Sequence, residues 1–109
     1  LFNEPVTNDD PENNSAVDIF LHNAYPNPFT TLTSFILESK EPGKNVSLKV
    51  YNIKGQLIRT IYDGALSQKT SVHQWDGLDS SGKRVGSGVY FLRASSEKGT
   101  AVRKILRLN

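Results

Sequence analysis

The sequence predicts an all-β domain, an antiparallel sandwich of about seven short strands. Three observations predict it. Runs of β-forming residues recur between turn clusters at intervals of roughly 8–12 residues. Apolar and polar residues alternate within those runs, as in Val46, Leu48 and Val50 against Ser47 and Lys49. No window carries the 3.6-residue apolar periodicity of a helix. A sandwich is favoured over a small barrel because nothing in the pattern marks a barrel's binding cavity.

Residues 1–22 are acidic and rich in turn formers (Asn3, Pro5, Asn8, Asp9, Asp10, Pro11, Asn13, Asn14, Ser15). Such a segment buries too little to offset its ordering entropy, so it reads as a flexible linker from an upstream domain. Its end, Val17 to Leu21, is apolar enough to dock as an edge strand. Residues 23–109 form the folded unit. Pro26 and Pro28 forbid helix and set an extended or turned path. Thr31 to Leu37 is a strand, and Glu41-Pro42-Gly43-Lys44 is a turn. Val46 to Val50 is a half-buried strand. Asn52-Ile53-Lys54-Gly55 is a hairpin loop with Gly55 suited to positive φ. Leu57 to Tyr62 returns, Asp63-Gly64 turns, and Ser71 to Trp75 is the next strand. Asp79-Ser80-Ser81-Gly82 is a tight turn. Val89–Ser95 and Ala101–Leu108 make a last hairpin around Glu97-Lys98-Gly99.

The length of 109 residues suits one domain with a modest core. With 37% apolar residues and no run near the ~18 residues of a membrane span, a soluble domain without a transmembrane segment is expected. The chain has no cysteine, so disulfides, thiolate metal sites and cysteine nucleophiles are excluded. It lacks an initiating Met and a signal-peptide pattern, which suggests the C-terminal piece of something longer. The net charge of +2 hides an asymmetry: residues 1–22 carry five acids and no Lys or Arg, so all 13 basic residues lie in the body. They never run longer than two and lack interleaved stacking aromatics, so a nucleic-acid partner is not expected.

Chemistry-bearing patterns are sparse. Trp75-Asp76-Gly77 reads as a core Trp at a strand end, with Asp76 closing an Asx turn and Gly77 at positive φ. Asp76, Asp79, Ser80, Ser81 and Gly82 faintly resemble a calcium loop, but Lys83 and Arg84 follow directly. His22 and His73 lack companion metal ligands. No nucleophile elbow, phosphate loop, dinucleotide fingerprint or zinc-protease motif occurs, so no catalysis, cofactor or metal is expected. Tyr25, Phe29, Phe35, Tyr51, Tyr62, Tyr90 and Phe91 suit either core filling or a sugar-stacking platform. Tyr90 and Leu92 face opposite to Phe91. The last strand interleaves Arg103, Lys104 and Arg107 with Val102, Ile105, Leu106 and Leu108. It reads equally as a strand-addition edge for a partner or as a charged edge guarded against aggregation.

Taken in order, these blocks resemble the type A C-terminal sorting domain of the type IX (Por) secretion system. The blocks are Tyr25-Pro26-Asn27-Pro28-Phe29 with Thr31, Thr33, Phe35 and Leu37; Val50-Tyr51-Asn52-Ile53-Lys54-Gly55; Trp75-Asp76-Gly77 with Asp79, Gly82 and Ser87-Gly88-Val89-Tyr90-Phe91; and Arg103-Lys104-Ile105-Leu106. Thr33 stands where that family has a larger aliphatic residue. The middle blocks also resemble the immunoglobulin-like domain of flagellar hook-capping proteins. The resemblance implies a seven-stranded immunoglobulin-like sandwich that sends an upstream cargo domain through the periplasm to the surface or medium. Its implied partners are an outer-membrane translocon and a tail-processing protease. Arg103, Lys104, Ile105, Leu106 and Leu108 would be the read-out strand. Tyr25, Pro26, Asn27, Pro28, Trp75, Asp76, Gly77, Gly88 and Tyr90 would be its scaffold. A carbohydrate-binding module and a structural domain of a flagellar or surface assembly are the alternatives. Gly88→Val is expected to unfold or misfold the domain.

Overall fold

A computed structural model describes residues 18–109. The acidic run from Leu1 to Val17, most of the expected linker, lies outside the described residues. The strands are β1 (Ile19–Leu21), β2 (Thr33–Ser39), β3 (Asn45–Asn52), β4 (Leu57–Ala65), β5 (Thr70–Trp75), β6 (Gly88–Ser96) and β7 (Gly99–Arg107). They form two antiparallel sheets, β1-β2-β5 and β4-β3-β6-β7. The sheets face each other with β1 over β7 and β5 beside β4. The architecture is the expected all-β immunoglobulin-like sandwich.

The period-2 pattern sets which side chains fill the space between the sheets. Phe35 and Leu37 of β2 meet Val46, Leu48 and Val50 of β3, Leu92 and Ala94 of β6, and Ile105 of β7. Ile19 and Leu21 close one side, so the end of the acidic segment does dock as an edge strand. Leu66, Ala24 and Phe29 enter the core from connections.

Turns follow their residues. Asn52 Oδ1 accepts the N–H groups of Lys54 (2.9 Å) and Gln56 (3.0 Å), and Gly55 takes φ +84°. One turn is displaced from its expected place. Asp63-Gly64 lies inside β4, paired with Ser47 and Val46, and the chain reverses only after Ala65. The ladder to β3 outweighs the local turn preference there, and the Tyr62 hydroxyl donates to the Ala65 carbonyl at its end. Register shifts between Leu48/Lys49 and Val50/Tyr51 leave Ile61 and Ile58 of β4 as extra residues opposite β3.

His73 stands on β5 against the rings of Phe35 and Tyr62, centroids 6.4 and 5.3 Å away, with its Nε2 2.9 Å from Ser71 Oγ. Burial holds its pKa below the ordinary value of 6.5. The unfolded chain therefore takes up this proton at higher pH than the folded one. The contribution is complete above pH 6.5 and is lost as pH falls toward the depressed folded value. Urea unfolding at pH 7.5 and 5.5 should show a drop in stability that shrinks in His73→Gln.

Candidate functional site

The scaffold motifs converge at one end of the sandwich. Trp75 is fully buried and donates from Nε1 to the Leu78 carbonyl at 2.9 Å. Its ring meets Phe29 at 5.4 Å and the Tyr90 edge at 5.3 Å. Asp76 Oδ1 accepts the Leu78 N–H at 3.1 Å, the expected Asx turn, and faces Arg59 at 3.5 Å. Tyr90 donates its hydroxyl to the Gly86 carbonyl at 2.8 Å. Burial pushes the Tyr90 phenol pKa up, and the Arg107 charge partly opposes the shift.

Arg107 is the residue that sequence reasoning missed. It is only 2% exposed. Its Nη1 donates to the Val85 carbonyl (2.8 Å) and to Asn109 Oδ1 (3.1 Å), while its buried Nε has no hydrogen-bond partner. Gly77, at φ +76°, makes room for it: a Cβ at Gly77 would stand 2.8 Å from Arg107 Nε. Gly88 differs. Its φ of +149° disfavours side chains, but a Cβ there meets nothing within 4 Å. The expected failure of Gly88→Val thus has only a backbone cause.

The Tyr25–Phe29 block lies along β7. Asn27 copies a strand's pattern with its side chain: Nδ2 donates to the Lys104 carbonyl and Oδ1 accepts the Leu106 N–H, both at 2.9 Å. Phe29 continues the pattern with its backbone, donating to the Leu106 carbonyl (3.0 Å) and accepting the Leu108 N–H (2.8 Å). The outward edge of β7 from the Lys104 carbonyl to the Leu108 N–H is therefore occupied. Of the two readings of this edge, strand addition finds no free backbone along this stretch. The Tyr25–Pro26 and Asn27–Pro28 peptide bonds are cis. Thr33, fully buried, donates its hydroxyl to the Pro26 carbonyl at 2.7 Å, which gives this residue a job that a larger aliphatic residue could not do. Tyr25 contributes through its backbone, exchanging hydrogen bonds with Ser34 (2.8 and 2.9 Å), and its ring is 80% exposed.

The five read-out residues divide between two faces. Ile105 is fully buried. Arg103 turns inward, donates from Nε to the Leu21 carbonyl at 2.7 Å and lies 5.7 Å over the Phe20 ring. Lys104, Leu106 and Leu108 remain accessible, with Val102 beside them. On β6 the register places Val89 opposite Leu106, Phe91 opposite Lys104 and Arg93 opposite Val102. Tyr51 of β3 pairs with Phe91 and with Leu57. The outer face of the larger sheet is therefore an apolar and aromatic field ringed by Lys49, Arg93 and Lys104. Both faces of β7 are mixed: Arg103 and Arg107 turn inward beside Ala101 and Ile105, while Val102 and Leu106 share the outer face with Lys104. Period-2 phasing held that signal, but basic and apolar residues on both faces obscured it.

The other candidates have local partners. Asp79 Oδ1 accepts from Ser81 Oγ (2.8 Å), Ser81 N (2.9 Å) and Lys83 N (3.0 Å), and these bonds, the Ser81 hydroxyl foremost, pull its pKa down. That oxygen is committed to its own turn. His22 pairs with Glu38, and His73 with Ser71. Among the described residues no three His, Cys, Asp or Glu side chains gather as metal ligands. Among them also, no helix is long and apolar enough to cross a membrane.

Comparison with known proteins gives the following. The pattern of one family, the FlgD Ig-like domain, matches residues 28–100. Dimeric latent PorU from Porphyromonas gingivalis superposes with a TM-score of 0.67 at 19% identity, covering 84% of this chain and 10% of that one. FlgD from P. aeruginosa gives 0.56 at 22% identity, covering 84% of this chain and 70% of that one. A biofilm-associated protein's BSP domain gives 0.53 at 17% identity, covering 82% and 15%. At these identities the likeness is one of fold. This chain spans a tenth of the PorU chain's length. No curated protein matches the sequence.

Gly77→Ala combines positive-φ strain with a clash on Arg107 and should cost about 3 kcal/mol, against about 1 kcal/mol for Gly88→Ala. Equal losses in chemical denaturation would contradict this packing. Asn27→Ala removes two edge hydrogen bonds and should cost about 1–2 kcal/mol, with faster amide exchange at Leu106 as the specific readout.

Proposed function

This chain belongs to the FlgD Ig-like domain family, and on that premise we propose that it is a non-catalytic recognition module that sorts an attached cargo domain for export. In this reading an outer-membrane translocon of the type IX kind reads the folded domain, and the cargo reaches the surface or medium by way of the periplasm. Support comes from the ordered blocks from Tyr25 to Leu106, which resemble the sorting domains of that system.

The observation that carries the reading is the exposed aliphatic face of β7 and of Leu108 just beyond it. Val102 and Leu108 are each 44% exposed while Arg107 is buried. Exposed aliphatic residues gain nothing for a solitary domain, and such patches mark interaction surfaces. Recognition would then use side chains on the outer face, Lys104, Leu106 and Leu108 with Phe91 and Val89 behind them. Arg103 and Ile105 would act as positioning residues that hold the strand. The backbone edge is taken by Asn27 and Phe29 and plays no part.

A second reading, a structural immunoglobulin-like domain of a flagellar or surface assembly, is favoured by the similarity to FlgD. Self-association of the isolated domain without a sorting phenotype would support it.

The test uses a reporter with a Sec signal and residues 1–109 at its C-terminus, expressed in a bacterium with a type IX system. Removing Arg103–Asn109 would be uninformative, because Ile105 and Arg107 are core. Lys104→Glu with Leu106→Asp alters only the outer face. Wild type should leave the periplasm, and the double variant should stay there with an unchanged melting temperature. Normal export of the double variant would refute the outer face as the recognition surface. Periplasmic retention of the folded wild type would favour the structural reading.

A further inference from the structure

Asp18 is a buried acid that the sorting reading does not use. It is 7% exposed and sits just before β1. Its main-chain carbonyl accepts the Lys40 N–H at 3.0 Å. Its Oδ1 accepts from Ser96 Oγ, which in turn accepts the Lys98 N–H at 3.2 Å within the β6–β7 turn. The second carboxylate oxygen, Oδ2, is buried and has no hydrogen-bond partner. A bare carboxylate oxygen shut away from water is costly, and native folds satisfy such an atom with a donor or a cation.

Asp18 lines an open pocket of about 330 Å³ with Gly43, Lys44, Asn45, Ser96 and Glu97. The cation among the lining residues, Lys44, forms no ion pair with Asp18. The Lys44 ammonium stands 3.7 Å from Glu41 and 3.8 Å from Glu97, long for ion pairs, and all three side chains are solvent-accessible. Three chain segments thus bring oxygen donors to one place: the start of β1, the turn before β3 and the β6–β7 turn.

We propose that this pocket binds a calcium ion, with Asp18 Oδ2 and Glu97 as its charged ligands, Asn45 as a neutral one, and Lys44 as the side chain that the ion displaces. An all-oxygen donor set drawn from three separate segments suits calcium, which accepts irregular shells of six to eight oxygens. Magnesium requires near-ideal octahedral geometry. Water completes the shell, because only two carboxylates line the pocket. Two charged ligands imply weak binding, with a Kd of about 10⁻⁴–10⁻³ M, the range of extracellular calcium modules. The bound ion would staple the first strand to the last hairpin. The site lies apart from the outer face of β7, so its failure would leave the sorting reading untouched.

The test is calorimetric titration of the 109-residue chain with calcium chloride, with magnesium chloride in parallel, alongside thermal melts. One saturable calcium event and a calcium-dependent rise in melting temperature are expected, with a weaker magnesium response. Asp18→Asn and Glu97→Gln should each weaken calcium binding about tenfold, and Lys44→Met should tighten it. Glu97 is exposed, so its variant folds whether or not Asp18→Asn does. Two results would overturn the site. One is the absence of saturable binding up to about 20 mM calcium, well above the expected range, in both wild type and Lys44→Met. The other is binding that survives Glu97→Gln and Asp18→Asn unchanged, which would place the ion elsewhere.

Discussion

The grip of Asn27 and Phe29 on the last strand is the constraint on which the rest of the domain depends. β7 has a paired neighbour on one side only. Asn27 supplies two hydrogen bonds and the Phe29 backbone two more on the other side. The same Phe29 places its ring against Trp75, which stacks edge-on with Tyr90. One short segment therefore seals a sheet edge, fills the core end and sets the floor on which Arg107 lies. It also explains why a block near residue 27 and a block near residue 105 belong together: they are two halves of one joint.

The joint has an unusual interior. Arg107 is buried beneath Gly77 with one nitrogen unsatisfied, and its charge is met by carbonyl and amide oxygens, not by a carboxylate. Desolvating a guanidinium this way is expensive. The outward consequence is that Val102, Lys104, Leu106 and Leu108 occupy the exposed phase of the strand. Burying Arg107 and exposing Val102 and Leu108 each costs stability. On the proposed reading, these exposed aliphatic residues are the surface that a partner meets.

Much of this fold was legible in the sequence, because strand alternation and turn chemistry agreed with each other over most of the chain. Val46–Val50, the Asn52–Gly55 loop and Trp75–Gly77 are cases where local preference and tertiary packing coincide. Asp63-Gly64 is where they part: a strong turn dipeptide is held in a strand by the partner ladder of β3. The candidate site was legible as a location and not as a geometry. The last strand was found, but its inward and outward residues were not told apart, because mixed basic and apolar residues erase the usual polarity cue. The occupied edge was invisible for a different reason. An asparagine side chain standing in for a peptide 77 and 79 residues away leaves no periodic trace.

The first strand is fastened to both sheets. It pairs with β2 along its three residues, while Asp18 bonds Ser96 and Arg103 bonds the Leu21 carbonyl from the opposite sheet. Tension applied from the upstream side is thus shared at once between the two layers. The domain cannot be peeled one strand at a time from that end without also loosening its final hairpin. A chain pulled there would be expected to yield in a single mechanical step, and to resist pulling better than three paired residues alone would allow.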